Sequence, residues 1–142
     1  MRFSLVVLLI SIALIQEVRA DDAVRVIANQ TVPVDTVEPA QATQIFLKQI
    51  RAWSDGTAIE PIDLQDDSPV RDAFYRKVTG REPAQLRAYW ARQAFTGMGF
   101  PPRRANDANE AARLVTDTPG AIGYTATKNL SDSLKVVLDP TR

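Results

Sequence analysis

Pro119-Gly120-Ala121-Ile122-Gly123-Tyr124 is the stretch on which the fold turns. Proline followed by glycine is turn chemistry, since the pair fixes one φ and frees the next. The apolar run after it is too short for a helix and reads as a buried strand over residues 121–125. Its glycines allow another backbone to approach closely. Tyr124 is read as structural, with a cleft-facing role as the alternative.

Working outward, residues 107–117 carry a helical period that buries Ala108, Ala111, Ala112 and Val115. Downstream, residues 134–138 read as a last strand, ended by Asp139-Pro140. Upstream, Gly97-Met98-Gly99-Phe100-Pro101-Pro102 breaks every period and is a forced loop. A helix over residues 83–95 points Leu86, Tyr89, Trp90 and Ala94 inward. The aromatics Phe74, Tyr89, Trp90 and Phe95 are read as core. Before it, Ser68 as N-cap and Pro69 at the first helical position begin a helix that Gly80 closes. Residues 59–64 are expected to form a short strand near a sheet edge, because Pro61 cannot donate to a ladder. Ala42, Ile45, Phe46, Ile50 and Trp53 share one face of a helix from Pro39 that Ser54-Asp55-Gly56 terminates. Residues 24–28 are a first strand, and residues 29–38 a loop. Helices interleaved with short strands specify an α/β class with a small sheet, but not the strand order.

The N-terminal residues are of another kind. Met1-Arg2 is basic, an apolar run follows from Phe3 to Ile15, and Val18 and Ala20 suit the −3 and −1 positions of a cleavage site. Residues 1–20 are therefore expected to be a signal peptide, leaving 21–142 as a single domain. The run is well short of the roughly 20 residues of a membrane span, and no cysteine follows it for lipid attachment. Arg2, Arg19 and Glu17 lie in that segment, so 15 basic and 16 acidic residues of the 17 and 17 remain. No basic excess points to nucleic acid. The chain has no cysteine and no histidine. Stability must come without disulfides, and the usual general base, catalytic dyads and zinc ligands are missing. The expectation is a non-enzyme that needs no cofactor or metal. Asn29-Gln30-Thr31 and Asn129-Leu130-Ser131 match a glycosylation sequon and are read as chance.

The series Ile45-Phe46-Leu47, Trp53-Ser54-Asp55-Gly56, Ile59-Glu60-Pro61-Ile62, Arg71-Asp72-Ala73-Phe74, Tyr89-Trp90, Phe95-Thr96-Gly97 and residues 119–124 resembles the phosphate-binding proteins of phosphate ABC importers. It is more closely similar to their small single-domain periplasmic relatives. The resemblance implies one periplasmic-binding-protein-like (type 2) lobe, a small mixed sheet flanked by helices. It also implies inorganic phosphate or another oxyanion as ligand, and a membrane transporter or sensor as partner. Two lobes close on the anion in that family, so a homodimer would be needed to restore the cleft.

The family places serine-glycine-threonine at a helix start, where this chain has Ser68-Pro69-Val70. Ser68, with the N–H groups of Val70 and Arg71, is the expected anion cradle, and Arg71 adds charge. The plainer alternative is an ordinary N-cap beside a solvated arginine. Gly97 and Gly99 stand where the family has a glycine-rich anion loop. Arg103-Arg104 is either an anion patch or charged surface. Asp66 and Asp67 are read as solvated charges favoured by the helix dipole. The function so implied is an exported ligand-binding module; the alternative is a periplasmic structural or interaction protein that keeps the lobe without the ligand.

Overall fold

A computed structural model describes residues 23–141, so the expected signal peptide lies outside the described residues. The elements are β1 (Arg25–Asn29), α1 (Pro39–Phe46), β2 (Glu60–Leu64), α2 (Pro69–Phe74), which continues as a π-helical turn (Tyr75–Thr79), α3 (Pro83–Phe95), β3 (Arg103–Ala105), α4 (Ala108–Asp117), β4 (Ala121–Thr125) and β5 (Leu134–Leu138). The five strands form one mixed sheet in the order β3-β2-β4-β1-β5. β2 runs parallel to β3 and β4, and each of these pairs is joined through helices, as parallel pairing requires. β1 is antiparallel to both β4 and β5.

β4 is buried at every position, as its apolar sequence dictates. Phe74 stacks on Tyr124 at 4.0 Å between ring centroids, and Phe46 meets both edge-on at 4.8 and 5.7 Å. This aromatic knot joins α1, α2 and the sheet. Gly123 sits where a Cβ would come within 2.9 Å of Val115 Cγ2, so the glycine lets α4 lie close on β4.

Several expectations need correction. α1 ends at Phe46, not in the mid-fifties, because Lys48 takes a left-handed φ of 58° that breaks the period. Ile50 and Trp53 follow in irregular chain and a turn closed by an Ala52–Ala58 bridge. β2 is interior. Its proline is tolerated because β3 pairs only from Ile62 onward. Phe95 and Ala94, expected inside, are exposed, Phe95 at 93%. The three-residue β3 was not expected, since two arginines within a charged run gave no strand signal. The N-terminal starts of α2, α3 and α4 agree with their caps: Ser68 accepts from Arg71 N at 3.3 Å, and Asp107 accepts from Glu110 N at 2.8 Å.

Candidate functional site

The site grows from the end of β2. Asp63 is 1% exposed, between Ile62 and Leu64 in the buried part of the strand. A buried carboxylate demands donors, and four groups supply them. Tyr75 O–H donates to Oδ2 at 2.8 Å, and Tyr124 O–H donates to Oδ1. Leu64 N–H reaches Oδ1 at 2.8 Å, and Arg71 Nε reaches Oδ2 at 3.4 Å. Each comes from a different element: Tyr75 from the π-helical turn, Tyr124 from β4 and Arg71 from α2.

Burial pushes both tyrosines well above their ordinary range, and the neighbouring Asp63 charge adds to the shift. They stay protonated and serve as donors. For Arg71, burial pulls the guanidinium down, but Asp63 outweighs it together with Tyr75, Tyr124 and Asp66, so the group is held above its usual value. Arg71 also lies over the Tyr75 ring, 5.0 Å from its centroid.

The cluster continues outward to solvent. Arg71 Nη1 lies 3.4 Å from Asp66 Oδ1, and Arg104 Nη1 lies 3.0 Å from Asp66 Oδ2. One half-exposed carboxylate thus bridges a buried arginine and a half-buried one. Asp66 is therefore not a merely solvated charge, and Arg71 is not a solvated arginine: it is 4% exposed. Ser68 Oγ is engaged as the helix cap by Arg71 N.

The expected ligand residues fall into two groups. Ser68, Val70 and Arg71 share the start of α2. Gly97 and Gly99 lie in the loop after α3, where Gly99 lines a separate cleft with Arg51, Tyr89 and Trp90 and no residue of α2. Asp63 and Tyr75 were not singled out in the sequence. An aspartate between Ile62 and Leu64 was the available signal. Among the described residues no group of three or more acidic, histidine or cysteine side chains could hold a metal.

No family model and no curated protein sequence matches the chain. Solved structures do match its fold. A putative phosphate ABC transporter substrate-binding protein from Clostridium perfringens, solved with bound phosphate, is 22% identical with a TM-score of 0.66. An ABC-type phosphate transport receptor from Vibrio cholerae is 18% identical with a TM-score of 0.63. PstS from Borrelia burgdorferi is 16% identical with a TM-score of 0.56, over 73% of this chain and 40% of its own. The first two matches take in 82% of this chain but only 44% and 45% of theirs. The chain spans less than half the length of the structures it resembles, and its mixed α/β fold is that of one lobe of a phosphate-type substrate-binding protein.

Proposed function

We propose that the chain is an exported, non-catalytic ligand-binding module for inorganic phosphate or a similar oxyanion. The observation that carries this reading is the fold likeness, over most of the chain, to a substrate-binding protein solved with bound phosphate. The cluster at the start of α2 supports it. Arg71 and Arg104 converge on the Asp66 carboxylate beside Ser68, and two guanidiniums gripping one carboxylate are equally suited to an oxyanion. On this reading Asp66 swings outward and the anion takes its place, with the Ser68 hydroxyl and the Val70 N–H within the same turn.

Calorimetric titration with phosphate and sulfate tests the proposal. Asp66→Ala removes the competing charge and is expected to tighten binding about fivefold, the worth of one partly exposed pair. Arg104→Ala is expected to weaken it. Absence of heat at millimolar anion in both the parent and Asp66→Ala overturns the reading.

The sealing of Arg71 between Asp63 and Asp66 favours a second reading, an exported interaction protein that keeps the lobe without its ligand. It is separated from the first by the same titration. Export itself is checked by N-terminal sequencing of protein recovered from the periplasm, which is expected to begin at Asp21. A transporter or sensor in the membrane is the expected partner, and light scattering reports whether two lobes pair as a homodimer.

A further inference from the structure

Three of the four exposed large apolar side chains among the described residues, Phe95, Met98 and Phe100, fall at the end of α3 and in the loop that leaves it. Phe95 is 93% exposed and Phe100 71%. Such a concentration of rings in water marks an interaction site. Met98 and Gly99 also line a cleft of about 400 Å³ together with Lys48, Arg51 and Trp90.

The cleft is cationic, with Lys48 and Arg51 in its lining. None of its described lining residues is a carboxylate. Residues 39–54 contain Lys48 and Arg51 but no acid; residues 83–106 contain Arg87, Arg92, Arg103 and Arg104 and again none. This occurs in a chain with 17 charges of each sign, so the asymmetry is local. Arg104 is engaged by Asp66, and Arg51 Nη2 donates to the Met98 carbonyl at 3.2 Å, which fixes the guanidinium against the loop. Trp90 is 7% exposed, and its indole N–H has no acceptor among the described residues. A buried donor left in this state is available to a ligand. Lys48 holds its left-handed φ on the same wall, a strain of the kind found at binding sites.

We propose that this loop and cleft dock the protein on an anionic phospholipid surface. A headgroup phosphate meets Lys48, Arg51 and the Trp90 N–H, while Phe95, Met98 and Phe100 sit at the boundary between headgroups and acyl chains. Charge complementarity selects the anionic surface, and the adjoining rings add apolar burial, the two forces that together hold peripheral proteins on membranes. A free phosphate ion shares the headgroup's chemistry but leaves the exposed rings without a role. The site shares no residue with the start of α2, so it stands or falls separately from the oxyanion reading.

The test uses the chain from Asp21, since every core residue lies between Val24 and Val137. It is sedimented with vesicles of phosphatidylcholine, alone or with about one third phosphatidylglycerol. Binding is expected on the anionic vesicles only, is lost near ~0.5 M salt, and is accompanied by a change in tryptophan emission as the Trp90 N–H gains an acceptor. Trp53 is buried as well, but its N–H is already bonded to the Gly120 carbonyl, so it serves as constant background. The double variant Phe95→Ser/Phe100→Ser, at largely solvated positions, is expected to weaken binding at least about tenfold with unchanged circular dichroism. Arg51→Gln is expected to do the same. Equal binding to both vesicle types, no binding to the anionic ones, or full retention in the double variant overturns the proposal. So does an identical emission change with millimolar inorganic phosphate and no vesicle binding, which assigns the cleft to the free ion. A dimer in light scattering that the double variant abolishes assigns the surface to a second copy instead.

Discussion

Gly120 gathers the motifs into one point. Its carbonyl accepts from Trp53 Nε1 at 2.9 Å and from Glu60 N at 3.3 Å, and its own N–H donates to Thr31 Oγ1 at 3.0 Å. With φ at 76°, a Cβ here would stand 2.3 Å from the Ala58 carbonyl oxygen. Gly120→Ala is therefore expected to cost upward of ~2 kcal/mol in urea unfolding; a midpoint within error of the parent refutes this packing. Tyr75 and Tyr124 make a second residue-scale prediction. Both have folded pKa values raised above the ordinary value of 10.0, so the unfolded chain loses their protons first. Stability from this source is complete below pH ~10 and declines as pH rises above it, toward the folded values. Tyr75→Phe is expected to flatten that alkaline decline, while lowering stability near neutrality by about 1–3 kcal/mol because Asp63 loses a donor. Urea midpoints between pH 8 and about 11 measure both effects. The role of the glycines was legible in sequence because turn and close-approach glycines announce themselves by their neighbours. That of Asp63 was not, since its partners lie 8, 12 and 61 residues away.

Among the elements, those with chemical punctuation were legible and those shaped by neighbours were not. Ser68-Pro69, Glu82-Pro83 and Asp107 each mark a helix start. Ser68→Ala is expected to lower stability by about 1 kcal/mol through loss of the cap, read from thermal or urea unfolding. An effect several times larger would mean the hydroxyl also holds the Arg71–Asp66 cluster in place. α1 misled because apolar spacing beyond Phe46 continues although the backbone does not: Trp53 reaches the core by its bond to Gly120 rather than by helical periodicity. β3 exists because β2 offers an unpaired edge beyond Ile62, a tertiary cause that no local pattern records. The sequon at Asn29 has a plain structural reading: its side-chain amide donates to the Val115 and Thr116 carbonyls at 2.9 and 2.8 Å, tying β1 to the end of α4.

For the whole molecule, class and lobe were legible through the order and spacing of short motifs, whereas strand order was not. The order depends on long-range pairing: Val26 faces both Tyr124 and Leu138. β5 covers the outer side of β1, whose residues 26–29 are buried. Removing residues 131–142 is expected to bare that edge and its apolar face, giving aggregation visible in light scattering at micromolar concentration. A soluble, cooperatively folding truncation would show instead that β5 is dispensable.

That same pairing has a consequence in time. β1 leaves the ribosome first among the strands, yet its two neighbours are the last two to be made. At common rates of synthesis, the interval between β1 and β5 is on the order of ten seconds. Until β4 has been made, β1 has no neighbouring strand with which to pair. On the proposed reading of an exported chain, that strand order would delay closure of the sheet during synthesis.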